Sequence, residues 1–345
     1  MPMTNCAILG RLDDADSEVE AACQRWGRLG VLPPRHRFLD RVLDACSSDD
    51  PLPVAVAMPM SDVALRGALE AARAGLISPL LVAPEAELRR AAAQFGIDLS
   101  GFELVSALDG PDAARKCAAL CRTGRARAIM KGSLETDVLM HELVRGEAGL
   151  RTARRMSHIF LLDVPSYPRP LLITDAAINI RPSLEEKVDI VQNAIELAQR
   201  LGIVTPHVAL LSAVETVHSK IQATVDAAAL SKMAERGQIH GAVVDGPLAF
   251  DTAVSAQAAA IKHLVSPVAG VADILVAPDL ESGNLLVKQL EYLGGAELAG
   301  LVLGASVPII LTSRADSARA RLVSCAIATL VASGRTADLA SASNR

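Results

Sequence analysis

Ser313, Arg314 and Asp316 stand together where a hydrophobic run ends: LTSRADSARAR, residues 311–321, follows VPII and precedes LVSCAIATLV. A plain turn would be served by Gly, Pro or Asn. Here a hydroxyl able to donate a hydrogen bond sits beside a permanently charged, forked guanidinium suited to a phosphate or a developing oxyanion. Asp316, three positions on from Ser313, offers a carboxylate that could take a proton nearby. The same residues also read as a helix cap at Thr312 or Ser313 with a surface Arg314–Asp316 pair, and the sequence alone leaves both open.

Four other segments carry comparable chemistry. IMKGSLETD, residues 129–137, ends a strand at Lys131, allows close backbone approach at Gly132 and opens a helix with Ser133, Thr136 and Asp137. Free N–H groups at a helix start beside a lysine suit an anion; a capped helix with a solvated lysine is the alternative. RGEAGLRTARR, residues 145–155, holds Arg145, Arg151, Arg154 and Arg155, either a solvated helix face or a seat for the phosphates of a nucleotide-bearing cofactor. VVDGPLAFDTAVS places Asp245 and Asp251 around a Gly-Pro turn, and APDLESGN puts Asp279, Glu281, Ser282, Gly283 and Asn284 after another strand. Paired carboxylates can do acid/base work or bind a metal, or they can cap a turn and a helix.

These segments need elements to hold them. From Pro53 onward, ten short apolar runs, beginning with VAVAM (54–58) and ending with VPIILTS (307–313), read as strands. Most are separated by amphipathic stretches of helical length, such as SDVALRGALEAARAGL and PSLEEKVDIVQNAIELAQRLG. That alternation predicts right-handed crossovers and a parallel sheet covered on both faces. Ligands of such sheets gather at strand-to-helix junctions. Ser61, Ser183 and the pair Glu281–Ser282 mark expected helix starts. Residues 1–50 read differently, as an N-terminal helical extension with helices over 16–29 and 35–46.

Bulk composition narrows the partners. Hydrophobic residues make up 51% and aromatics 2%, so Ala, Val, Leu and Ile must build the core, and 345 residues suggest two domains. A net charge of -5 with interspersed signs, and only Trp26, Tyr167 and Tyr292 as Trp or Tyr, argue against a nucleic-acid platform. No apolar run approaches the roughly 20 residues that cross a bilayer. The opening MPMTNCAILGRLDDADSE lacks the pattern of a secretory signal, so a cytoplasmic protein is expected. The six cysteines are scattered and read as buried free thiols. The seven histidines sit singly, and no metal site is expected. Phosphate-loop, GxGxxG, GxSxG and HExxH motifs are absent, which removes weight from ATP hydrolysis, ordinary Rossmann hydride transfer and serine hydrolysis.

The segments taken together, MKGSLETD, LRTARRMSH, VVDGPLAFDTAVS, SPVAGVADILVAPDLESGN and LGGAELAGLVLGASVPIILTSRADS, resemble the phosphate acetyltransferase and phosphate butyryltransferase family from about Pro53 to the C-terminus. The resemblance implies an α/β fold of two doubly wound parallel-sheet domains with a cleft between them, as in the isocitrate and isopropylmalate dehydrogenases. Domain one would be discontinuous (51–155 plus 304–345) and domain two would span 156–303. The implied reaction is reversible transfer of a short acyl group, acetyl first and butyryl next, between coenzyme A and inorganic phosphate in a ternary complex. Coenzyme A is then a substrate and no cofactor is tightly bound; acyl-CoA, phosphate and acyl phosphate are the partners, and a homodimer is expected.

Residue by residue, Ser313 and Arg314 match the family's SR pair, with Asp316 as base. SRADS resembles the butyryl branch; the acetyl branch has an aspartate further on, roughly where Ala320 and Arg321 stand here. Lys131, Gly132, Ser133, Thr136 and Asn284 would bind phosphate, Arg145, Arg151, Arg154 and Arg155 the CoA phosphates, and Asp245 and Asp279 would stand on the cleft wall. A metal- and NAD-dependent dehydrogenase relative using Asp245, Asp251 and Asp279, and a non-catalytic CoA or acyl phosphate sensor, are the competing readings.

Overall fold

Apolar residues alternate along β1 (Leu52–Ala57), with Val54 and Val56 entering one core cluster and Ala55 and Ala57 another. Successive strand side chains point to opposite faces, so this pattern requires a sheet covered on both sides. The computed structural model, which describes residues 37–46, 50–146, 149–312 and 316–337, shows that sheet. It has eleven strands in the order β3-β2-β1-β4-β11-β10-β5-β6-β9-β7-β8.

In chain order, α1 (Arg37–Cys46) precedes β1 and is followed by α2 (Asp62–Arg73), β2 (Ile77–Ala83), α3 (Glu85–Gln94), β3 (Glu103–Ser106), α4 (Gly110–Arg122), β4 (Ala128–Lys131) and α5 (Thr136–Val144). Next come β5 (Ser157–Asp163), β6 (Leu171–Thr174), α6 (Leu184–Arg200), β7 (His207–Leu211), α7 (Gln222–Glu235), β8 (Val243–Leu248), α8 (Phe250–Val254) and α9 (Ala256–Ile261). The chain then forms β9 (Ile274–Val276), α10 (Leu280–Tyr292), β10 (Glu297–Leu303), β11 (Ile309–Ile310) and α11 (Ala318–Ser333).

Each of the ten expected runs is a strand, and the α/β class with a largely parallel sheet holds. The eleventh strand, β10, was not among them. Its sequence, ELAGLVL, carries Gly300 at its centre, which weakens a strand signal. The glycine is required by packing: a Cβ there would lie 2.9 Å from the Leu311 carbonyl oxygen and 3.0 Å from the His158 ring.

β10 also changes the polarity of the sheet. It pairs antiparallel with both β11 and β5, and β5 pairs antiparallel with β6, whereas the strands outside this middle are parallel to their neighbours. Two parallel groups, β3-β2-β1-β4-β11 and β6-β9-β7-β8, are thus joined through one antiparallel seam. One face carries a core that spans both groups, from Val54 and Leu81 to Val208 and Ile274. The other face is divided into a cluster around Ile129 and Leu139 and one around Ile173 and Leu275.

The expected helix starts are present at two of the three places. Ser61 caps α2 by accepting from Ala64 N, and Ser183 forms a reciprocal capping box with Glu186 at α6. At α10 the cap is Asp279 in place of Glu281–Ser282, accepting from Ser282 N at 2.8 Å. Of the two expected N-terminal helices, the second corresponds to α1, which packs Phe38, Leu39 and Val42 into the core with Val323 and Ile327 of α11. The first, over 16–29, lies outside the described residues. Among the described residues no helix is long and apolar enough to cross a membrane.

Candidate active site

β4 lies between β1 and β11, so the residues leaving these three strands meet. Gly132 donates to Ala57 O at 2.8 Å and Ser133 N to Met58 O at 2.7 Å, which draws the β4–α5 turn under the end of β1. The approach is too close for any side chain: a Cβ at position 132 would stand 2.4 Å from Met58 O.

Ser133 Oγ accepts from Ser61 N at 2.9 Å and Met60 N at 3.2 Å, and lies 3.1 Å from Ser61 Oγ. With both acceptor positions of Ser133 occupied, its hydrogen goes to Ser61 Oγ, which also accepts from Ala64 N. The Ser61 hydrogen is then the donor left over in this chain.

It borders a cavity of about 400 Å³ lined by Ser61, Val63, Ala64, Met130, Lys131, Gly132, Ser133, Thr312 and Arg321. Among the described residues the lining contains two cations and no carboxylate, and the N-terminus of α2 opens onto it, a combination that favours an anion. Lys131 is buried and its Nζ donates to Leu134 O at 3.3 Å. Thus Lys131, Gly132 and Ser133, adjacent in sequence, are brought to one pocket, while Thr136 opens α5 outside its lining.

Ser313 and Arg314 lie outside the described residues. Their flanks, Thr312 and Asp316, are both buried. The Asp316 carbonyl accepts from Arg321 NH1 at 2.6 Å.

A second layer, which the sequence reading did not single out, stands beneath Leu311. His158 of β5 is fully buried against Phe160, with ring centroids 4.2 Å apart. Its Nε2 is 3.4 Å from the Leu311 carbonyl. A carbonyl can only accept, so the ring carries its proton on Nε2. Burial pushes the imidazole below the ordinary histidine range, opposed by the nearby Asp175 carboxylate.

Asp175, just after β6, accepts from the backbone N–H groups of Ala177, Ile178 and Asn179 at 2.9, 3.0 and 3.2 Å and from the Asn179 side-chain amide. This fixes the turn from β6 toward α6. Ile178 from that turn packs on the cluster that contains Leu134 and Leu311, and Asn284 of α10 donates to Ala176 O at 3.1 Å. Asn284 is therefore engaged in holding this turn and is not part of the cavity lining.

The four arginines are dispersed. Arg145 lies 3.7 Å from Glu142; Arg151 is exposed, with a backbone bridge to Ala305; Arg154 pairs with Glu196 at 2.7 Å. Arg154 lines a separate cavity of about 340 Å³ with Asn193, Glu196 and Arg200. Arg155 is exposed but well held: Nε donates to Asn179 Oδ1 at 2.7 Å, NH1 lies 3.0 Å from Glu186, and its backbone N donates to Asp189 at 2.8 Å.

The acidic residues are equally separate. Asp245 accepts from Gly246 N at 2.9 Å, Asp279 caps α10, and Asp251 pairs with Lys262 at 2.9 Å. Among the described residues no three His, Cys, Asp or Glu side chains are grouped as a metal site would need. Cys46, Cys117, Cys121 and Cys325 are free and buried, and burial raises every one of these thiols, Cys46, Cys121 and Cys325 to about 12. They are inert, as expected of buried cysteines.

Strands, crossovers and an anion pocket at a strand-to-helix junction define an α/β protein built to hold an anionic ligand. Residues 108–329 match the model of a family described as "Phosphate acetyl/butaryl transferase". The chain is 56% identical over 305 residues to a phosphate acetyltransferase of Rhizobium meliloti, covering 88% of this chain and 96% of that protein. It is 41% identical over 282 residues to a phosphate butyryltransferase of Clostridium acetobutylicum, covering 82% and 94%. A branched-chain phosphotransacylase structure from Enterococcus faecalis superposes with a TM-score of 0.70 at 30% identity, over 81% of this chain and 99% of the other. The chain belongs to the phosphate acetyl/butyryl transferase family.

Proposed function

We propose that the protein transfers a short acyl group reversibly between coenzyme A and inorganic phosphate, acetyl in preference to butyryl. The observation that carries this reading is the cavity at the ends of β4 and β11, where Lys131, Gly132, Ser133 and the α2 N-terminus create a seat for an anion next to Thr312. The identity to a phosphate acetyltransferase supports acetyl as the preferred group.

Toward acyl phosphate, a phosphate oxygen attacks the thioester carbonyl, and the tetrahedral oxyanion collapses with departure of the CoA thiolate. In reverse, the thiol loses its proton, attacks the acyl phosphate carbonyl, and phosphate leaves. Holding both substrates together supplies proximity, and preorganised donors stabilise the oxyanion. In this mechanism Ser313 and Arg314, one and two residues beyond Thr312, donate to the phosphate or oxyanion, and Asp316 accepts the thiol proton. Residues 51–155 with 304–345 form one wall of the cleft and residues 156–303 the other. Arg145, Arg151 and Arg154 serve the CoA phosphates, while Arg155 braces the Asp175 turn. The protein works in the cytoplasm as a homodimer, with coenzyme A as substrate.

The test is phosphate-dependent CoA release from acetyl-, propionyl- and butyryl-CoA, read with a thiol reagent, on wild type and Arg314→Ala. The expected result is release that requires phosphate, is fastest with acetyl-CoA, and drops about 10²-fold or more in the variant, the scale for one oxyanion donor. Folded protein that binds acyl-CoA without releasing CoA would leave the sensor reading in its place.

A further inference from the structure

We propose that Arg321, to which no site role was assigned from the sequence, is a cation of the anion pocket beside Lys131 and binds the phosphate substrate directly; this rests on the phosphate-transfer reading. The residue follows the Ser317 cap of α11, four positions on, and is 5% exposed. Its neighbour Arg319, on the same turn, is spent outside, on Glu297 at 2.7 Å and on Asp40. Arg321 instead runs beneath α2. Gly67 leaves the space for it: a Cβ at that position would lie 2.6 Å from Arg321 Cδ.

A guanidinium is hard to bury, and its burial here lowers its proton affinity, opposed by the carboxylates of Asp316 and Glu70. It nevertheless stays charged, since arginine does not deprotonate in proteins. NH1 donates to Asp316 O at 2.6 Å, yet Arg321 also lines the cavity with Lys131, Gly132, Ser133 and Thr312. A fork of five donors can clamp a backbone carbonyl and still present N–H groups to a phosphate. Neither Asp316 nor Glu70 lines that cavity. An incoming phosphate dianion would meet Lys131 and Arg321 across the α2 N-terminus, with the Ser61 hydroxyl between.

The experiment measures initial rates against phosphate and against acetyl-CoA for wild type, Arg321→Lys and Arg321→Gln, with phosphate-induced melting shifts on the same samples. Arg321→Gln should raise KM for phosphate about 10- to 100-fold, the scale of one charge-assisted hydrogen bond. KM for acetyl-CoA should stay within about twofold, and the melting shift with phosphate should shrink. Arg321→Lys, which keeps the charge without the fork, should fall between the two and serves as the reading if the Gln variant does not fold. A lower kcat with unchanged KM for phosphate and an unchanged melting shift in either folded variant would overturn the proposal and leave Arg321 as a clamp on the Asp316 loop. If wild type releases no CoA but loses its phosphate-induced shift in the variants, the transfer reading fails and the anion site stands.

Discussion

The glycine after Lys131 shows what a single position can be required to do. Gly132 sits where the turn from β4 passes beneath the carbonyls of Ala57 and Met58, and a Cβ would approach these to 2.5 and 2.4 Å. Backbone atoms cannot swing aside as a flexible side chain can. Gly132→Ala must therefore move the Ser133 turn, breaking the Ser133–Ser61 hydrogen-bond chain at the pocket. The expected cost is about 1–3 kcal/mol in urea unfolding, together with a raised KM for phosphate; a variant with wild-type values for both would disprove the close approach. Lys131, Gly132 and Ser133 were legible in the sequence because adjacent residues stay adjacent in any fold. His158, Asp175 and Arg321 were not, because nothing near them in the chain hints at what they meet. Asp175 lies in the run LLITDA and His158 in HIFLLDV, both of which announce only strands.

At the scale of elements, α6 and α7 are joined by a buried ion pair. Lys187 Nζ donates to Asp226 Oδ2 at 2.7 Å, and Gln222 Nε2 donates to the other carboxylate oxygen at 2.7 Å. Both charged side chains are nearly enclosed, at 7% and 11% exposure. Removing one leaves the other buried without its counter-charge, which is worse than having neither. Lys187→Met should destabilise by about 3–5 kcal/mol in urea unfolding, and Lys187→Met with Asp226→Leu should recover most of that loss. Equal destabilisation of single and double variants would show that the pair is not coupled. The α6 start was readable from Ser183 and Glu186 because a capping box is local, whereas the partner of Lys187 lies 39 residues away. β10 was missed for the opposite reason: its central glycine looks like an interruption until His158 and Leu311 are seen to occupy the space.

Across the whole molecule, the seam of β10 and β5 places His158 at the junction of the two parallel strand groups, directly under Leu311. Its buried neutral ring makes stability depend on pH. Above about pH 6.5, the ordinary histidine value, folded and unfolded forms both hold a neutral imidazole and the effect vanishes. Below it the unfolded chain takes up a proton that the buried ring refuses, so stability falls with falling pH, by up to about 1.4 kcal/mol per pH unit. His158→Gln should flatten that slope between about pH 6.5 and 5, measured as urea midpoints across the range. Coincident slopes in the two proteins would mean the ring titrates as it does in water.

The α/β class, ten of the eleven strands, the helix starts at Ser61 and Ser183, and the segments on which chemistry would sit could all be read from the order of residues. These follow from periodicity, caps and contiguous motifs, which act over a few residues. The antiparallel turn at the middle of the sheet, the bond from Arg155 to Asn179, and the presence of Arg321 rather than Thr136 or Asn284 in the pocket lining came from the packed chain. Those outcomes depend on which strand lies beside which and on the room that Gly67, Gly132 and Gly300 leave. Such space is shared between residues far apart in the chain, and no local pattern records it.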